Sequence, residues 1–280
     1  MLRKIKKDEF EKYAEYTYRL AMDLSCSGFP VYTDGVKTRE TFYDRSKKGL
    51  ERDSEEILLY EEDGEVKGWI HYYFLEEDKY IGVCSILIET GYRHALEELF
   101  EYWKIKLHGF TWGLYFPEEN VDAITYLREC GYQETEPEIV EVLLFENYTP
   151  KTESAGVISI NRDNYEIFRE IHSQYDEDMY WTSQRIAECL DDWEIFAYLD
   201  NNDCRGVIYH NGKGQENLEI FGIDCDVPSV AETLLISCLN KAKAENAKSM
   251  YFFTEEAYRD MAEKTGFRCV TVAHYFEGNA

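Results

Sequence analysis

The sequence predicts an α+β protein made of one mixed fold used twice. The first sign is that ILLYEEDGEVKGWIHYYF, from Ile57, is matched by IFAYLDNNDCRGVIYH, from Ile195. Each is an apolar strand, a polar turn, a Lys-Gly or Arg-Gly pair and a second aromatic-rich strand. The second is that AITYLRECGYQ, from Ala123, is echoed by YRDMAEKTGFR, from Tyr258. The third is spacing: Glu89 to Gly131 and Asp224 to Gly266 are both 42 positions apart (131−89 and 266−224). A period of about 135 residues is a whole domain, far beyond solenoid length. Each copy reads as a mixed, mainly antiparallel sheet flanked by helices. The expected boundaries are 1–146 and 157–280, with the polar run NYTPKTESAG at 147–156 as linker.

The elements follow in order. A helical pattern covers 8–24, a turn holds Gly28 and Pro30, and a short helix covers 38–50. Strands are expected at 57–62, 66–75 and 80–88, the first two joined by a Glu-Asp-Gly hairpin turn. Leu96, Leu99, Phe100, Trp103 and Leu107 then fall on one helical face. A strand at 110–116 ends at Pro117, a helix at 118–130 stops at Gly131, and 132–145 supplies a final strand pair. The second copy repeats this order: a strand at 157–160, helices at 165–175 and 182–190, and strands at 195–199, 206–210 and 218–223. Ser229-Val-Ala-Glu232 reads as a capping box opening the next helix. A strand at 249–253, a helix at 255–264 and a strand at 267–276 close the chain.

Composition narrows the classes. Thirty basic residues against 56 acidic give a net charge of −26. Such a surface repels nucleic acid and anionic membrane and attracts cations. None of the eight cysteines forms a Cys-x-x-Cys pair or has a histidine at metal-ligand spacing, so no metal is expected. MLRKIKKDEF lacks the apolar core of a signal peptide, and no stretch has the apolar length of a membrane span. Reduced cytoplasm is the expected location.

The order of elements, the Lys67-Gly68 and Arg205-Gly206 pairs, Asn120-Val-Asp-Ala123 leading into LRECGY, and EKTGF in the second half resemble the GNAT superfamily of N-acetyltransferases, once per half. The resemblance implies two tandem GNAT-like domains with acetyl-CoA as cosubstrate. It would lie where two parallel strands part, between 80–88 and 110–116 or between 218–223 and 249–253. Its pyrophosphate would rest on amides at the start of the following helix, where unpaired N–H groups and the dipole attract anions. The family's loop reads Arg/Gln-x-x-Gly-x-Gly/Ala, and both halves depart from it. ETGYRHALEEL keeps Gly91 but has Arg93 where a small residue is usual; Arg93 and His94 offer side chains to an anion instead. DCDVPSVAETLL has no glycine, an apparently shortened loop, and Asp224, Asp226 and Glu232 near the helix start. Cofactor contacts are therefore expected in the first half, from Ile88, Gly91, Arg93, His94, Asn120 and Ala123.

Acetyl transfer needs a base for the amine and an acid for the departing thiolate. The family's acid, a tyrosine four residues before the Gly-aromatic pair, is replaced by Leu127 and Ala262. Tyr126 stands one residue away, about 100° round the helix, and is the expected acid. The base is sought among Glu89, His71 and Glu219. Gly222 marks a bulge that parts the strands. His172, His210 and His274 stand in no motif. Two readings follow. In one, the first half transfers an acetyl group to a small-molecule amine or basic peptide. In the other, a degenerate pair binds a small molecule or protein and catalyses nothing. Transfer of a larger acyl or aminoacyl group is a third.

Overall fold

The computed structural model describes residues 1–280 apart from Asp178 and Asp226. It divides into two compact units. Unit 1 is Met1–Glu138 with Val270–Ala280, and unit 2 is Ile139–Cys269.

Unit 1 runs β1 (Leu2–Lys4), α1 (Phe10–Ala21), α2 (Arg39–Gly49), β2 (Glu55–Glu62), β3 (Glu65–Leu75), β4 (Tyr80–Ile88), α3 (Tyr92–Lys106), β5 (Thr111–Pro117), α4 (Val121–Glu129) and β6 (Gln133–Glu134). β2, β3 and β4 form an antiparallel meander. Its first turn is made by Asp63 (φ 51°) and Gly64 (φ 81°), the left-handed pair that suits a tight hairpin. β1, too short and charged to be read as a strand from sequence, pairs with β2. Both sheet faces are covered, which explains the near-continuous apolar runs. Leu58, Tyr60, Ile70 and Tyr72 pack under α3 and α4 with Leu96, Leu99 and Trp103. Ile57, Leu59 and Trp69 point the other way, against Phe10 of α1 and Phe42 of α2.

Unit 2 contains β7 (Glu138–Leu144) from Ile139 onward. β8 (Val157–Ser159), α5 (Glu166–His172), α6 (Ser183–Glu188), β9 (Trp193–Asp200), β10 (Asp203–Asn211) and β11 (Asn217–Asp224) follow, then α7 (Pro228–Ala244), β12 (Ser249–Thr254) and α8 (Glu256–Thr265). β8, β9, β10 and β11 are antiparallel neighbours. Leu234, Leu235, Cys238 and Leu239 of α7 pack on Phe196, Ile208, Ile220 and Met250.

The closing strands fall differently from the sequence division. The last strand, β13 (Arg268–Asn279), contributes its residues from Val270 to unit 1. There it pairs antiparallel with β5, from Ala273↔Pro117 to Asn279↔Thr111, and Phe276 enters the core under α3 and α4. β7, expected to finish the first domain, pairs with β12 of unit 2 from Leu144↔Ser249 to Ile139↔Thr254. The boundaries 1–146 and 157–280 therefore do not coincide with the compact units. The physical reason is equivalence: both closers are apolar antiparallel strands following a Gly-aromatic turn. Pro137, which has no amide to offer a ladder, separates β6 from β7.

Phe276→Ala should cost unit 1 about 3–5 kcal/mol, as expected for emptying a buried aromatic site. Hydrogen exchange should then quicken in β3 and α3 and stay unchanged in α7. Faster exchange in α7 with β3 protected would contradict the placement of the last strand.

Candidate functional site

In each unit a bulge converts a parallel strand pair into a cleft. β4 and β5 pair only at Tyr80↔Thr111 and Ile81↔Trp112. The β3–β4 register then slips, with His71 opposite Ser85 and Tyr72 opposite Val83, so Cys84 lies outside the ladder. In unit 2, β11 and β12 pair from Asn217↔Ser249 to Ile220↔Phe252. The slip there leaves out Phe221, one residue before the expected Gly222. Gly222 instead makes room for a ring: a Cβ there would lie 2.3 Å from the Tyr209 hydroxyl.

The cleft of unit 1 is filled by its own chain. The Gly28 amide donates to the Ile86 carbonyl at 2.7 Å, and the Phe29 amide to the Tyr115 carbonyl at 2.8 Å. Ser27 forms an antiparallel bridge with Leu87. The Tyr92 hydroxyl donates to the Cys26 carbonyl (2.7 Å), and Asn120 Nδ2 to the Ser27 carbonyl (2.9 Å). Gly28 fits because it has no side chain: a Cβ would meet the Phe116 ring and the Tyr115 carbonyl oxygen, each at 3.3 Å. Asn120, 0% exposed, also accepts from the Ala123 amide and so caps α4. Ile88 and Ala123 are buried too. Three of the residues expected to touch a cofactor are thus enclosed within unit 1.

The rest of the expected set is dispersed. Gly91 is the left-handed residue before α3 (φ 77°), and no side chain caps that helix. Arg93 is ion-paired with Glu129, and its guanidinium lies 5.2 Å above the Tyr126 ring. His94 faces Glu97 and Glu98, while Glu89 pairs with Lys67 at 3.1 Å. Tyr126 packs between Arg93 and Phe100; burial, with nearby Cys130, raises the pKa of its hydroxyl. Glu219 lies on β11 opposite Asn211 and Tyr251.

His71 belongs to a buried ionic cluster. Its Nε2 is 2.8 Å from Glu55 Oε2, and Arg45 and Arg52 bond the same carboxylate at 2.6 and 2.7 Å. Burial pushes the Glu55 carboxyl up, but bonds from His71, Arg45 and Arg52 outweigh it and hold it well below the usual range. Burial, only partly offset by Glu55, lowers the His71 pKa. Ligand atoms of Glu55, His71 and Cys84 lie within 4.8 Å of one another, a spacing that suits a metal. Arg45 already supplies positive charge there, with its Nη2 2.8 Å from Cys84 Sγ. Burial pushes that thiol up to about 12.

Unit 2 is arranged differently. α7 starts at Pro228, with no side-chain cap at Val227, so the expected capping box does not form. Proline fits the first helical position because its missing N–H is one that has no intrahelical partner. That places Ser229 inside the helix, where its carbonyl accepts from the Thr233 hydroxyl. The connections 89–91 and 225–227 are equally long, so the second loop is no shorter than the first. Asp224 does not serve the helix either. Its carboxylate is 3.0 Å from His172 Nδ1, while His172 Nε2 is 2.9 Å from the Trp181 carbonyl. Both ring nitrogens face acceptors, an arrangement that favours the protonated ring. Burial opposes that charge, but Asp224 and the Trp181 carbonyl outweigh it and raise the pKa. Asp226 lies outside the described residues.

Where unit 1 inserts a backbone segment, unit 2 inserts one side chain. The Tyr258 hydroxyl donates to the Cys225 carbonyl at 3.0 Å and approaches that of Ile223 at 3.5 Å. Tyr258 holds the place in α8 that Ala123 holds in α4, 135 positions earlier (258−123). Among the described residues, no strand pairs with β11 on this side beyond Ile220.

A meander, a bulge, a parallel pair that parts beyond it and a helix rising from the parting, built twice, is the fold of the GCN5-related N-acetyltransferases. Solved structures agree. One is a GCN5-related N-acetyltransferase from Sphaerobacter thermophilus, with TM-score 0.65 and 12% identity, over 100% of this chain and 95% of that one. Another is described as a putative acetyltransferase from Pyrococcus horikoshii, with TM-score 0.53 and 14% identity, over 100% and 89%. A tandem GNAT protein from the clavulanic acid biosynthesis pathway has TM-score 0.50 and 8% identity, over 100% and 98%. No protein-family model and no curated protein matches the chain. Among the described residues, no helix is long and apolar enough to cross a membrane.

One titratable group escaped the sequence reading. Glu141, inside β7 opposite Phe252, is 0% exposed, and neither carboxylate oxygen has a partner among the described residues. Burial, with Glu263 of α8 adding to it and Arg259 opposing, raises its pKa from 4.5 to about 7. The folded state therefore keeps a proton that the unfolded chain releases, and stability falls as pH rises from 4.5 to about 7. Glu141→Gln should stabilise unit 2 at pH 8 by on the order of 3 kcal/mol, read as a raised thermal midpoint, and change little at pH 4. An unchanged or lower midpoint at pH 8 would refute the orphaned carboxylate.

Proposed function

We propose that the protein transfers an acetyl group from acetyl-CoA to a primary amine, and that unit 2 receives the donor. The observation that carries this is the contrast between the two clefts. The inner margin of β4 is hydrogen-bonded to residues 27–29, whereas that of β11 is met by the Tyr258 hydroxyl. A side chain leaves by rotating about its own bonds; a bridged backbone segment leaves only by breaking several hydrogen bonds together.

The residues of unit 2 fit such a donor in part. The start of α7 has no side-chain cap, and the Asp224 carboxylate is paired with His172. The carbonyls of Ile223 and Cys225 accept a donor group in the cleft, as their contact with Tyr258 demonstrates. Acetyl-CoA supplies the activated thioester. Tyr258, once displaced, presents a hydroxyl beside the cleft and is our proposed proton donor. A net charge of −26 favours a cationic amine or basic peptide as acceptor.

A second reading, binding without transfer, is favoured by one feature: no lysine or arginine stands between Cys225 and Glu232 to hold a pyrophosphate. Release of free thiol from acetyl-CoA with a panel of primary amines separates the two. Turnover supports transfer; stoichiometric binding without turnover supports the second reading.

The choice of unit is tested by charge. Ser229→Glu places a carboxylate over the first amides of α7, where the helix dipole favours it and the fold is kept. Acetyl-CoA affinity should fall at least about tenfold, a loss of about 1.4 kcal/mol. Thr90→Glu, at the corresponding turn of unit 1, should leave it unchanged. The reverse pattern would return the donor to unit 1.

A further inference from the structure

At the opposite end of β4 and β5 from the parting, unit 1 has a second cleft of about 560 Å³. Tyr80, Trp112, Tyr132, Gln133, Tyr275 and Glu277 contribute to its walls. The walls are held in place. Trp112 stacks on Phe100 with ring centroids 4.7 Å apart, and Tyr132 meets Trp112 edge-on at 4.9 Å. Tyr275 lies across Gly113, where a Cβ would come within 2.4 Å of its hydroxyl, and its ring is 4.5 Å from Tyr115. The Glu277 backbone is fixed between Gly113 of β5 and Gln133 of β6.

The chemistry of the lining is one-sided. Glu277 is the only charged residue among those described there, and no lysine or arginine joins it. Its side chain is exposed at the mouth of the cleft and makes no ion pair among the described residues. Tyrosine faces attract cations through the ring quadrupole, more so when water is partly excluded. A volume of this size is usual for small-molecule sites.

We propose that this cleft binds a small organic ammonium ion, its cation against Glu277 and its apolar body against the rings of Tyr80, Tyr132 and Tyr275. The negative field of the whole chain draws such ions in, and the single carboxylate between aromatic walls fixes them. The inference is independent of acetyl transfer, since none of these residues belongs to either strand parting.

Titration of the full chain with benzyltrimethylammonium, followed by calorimetry and by tyrosine resonances, tests it. One site should fill at submillimolar concentration, and phenylacetate, with a similar ring and opposite charge, should not bind. Glu277→Gln should weaken the cation at least about tenfold. Glu118→Gln, an equal change of net charge at the far end of β5, should shift it less than about twofold. Tyr275→Leu, which keeps an apolar cover over Gly113, should weaken binding about fivefold or more. No binding at millimolar cation, equal binding of phenylacetate, or equal losses in the two glutamate variants would each overturn the proposal.

Discussion

Wherever two paired strands part inside a folded unit, the backbone groups along the opening lose their ladder partners and must find others. That demand shapes both halves of this protein. The bulges at Cys84 and Phe221 twist β4 and β11 away from their parallel neighbours and create the same deficit twice. Unit 1 meets it with a backbone segment, unit 2 with a tyrosine hydroxyl. The two solutions differ in reversibility, and this difference, rather than any sequence motif, separates the two clefts structurally.

The side chains around each opening follow from the solution adopted. Once residues 27–29 lie between β4 and β5, Asn120 and Tyr92 are drawn inward to bond the carbonyls of Ser27 and Cys26. Arg93, left outside, pairs with Glu129 instead of an incoming anion. In unit 2, His172 engages the Asp224 carboxylate close to the start of α7 and its raised pKa favours a charge that offsets it. The region is therefore less hostile to an anion than its acidic sequence suggests.

Much of this fold was legible in the sequence. The strands at 57–62, 66–75 and 80–88 and the helical stripe from Leu96 to Leu107 depend on periodicity, which sequence records directly. The repeat itself revealed the duplicated GNAT-like arrangement. The exchange of closing strands was not legible, because β7 and β13 carry the same pattern and only the assembled edges decide which fits where. Nor was the plug, since Gly28 and Phe29 act through backbone amides that every residue but proline possesses. The capping box at Ser229 failed through competition: Pro228 is better suited to the first helical position, so the helix begins two residues early. Tyr126 stands one residue from the family position, and that rotation carries it to Arg93.

Hydrogen exchange with and without saturating acetyl-CoA tests the central claim, that unit 1 is sealed by its own backbone while unit 2 can open. The account predicts new protection in peptides covering 221–232 and 252–262, with 85–95 unchanged. Protection of 85–95 with 221–232 unaffected, or no change in either unit, would contradict it.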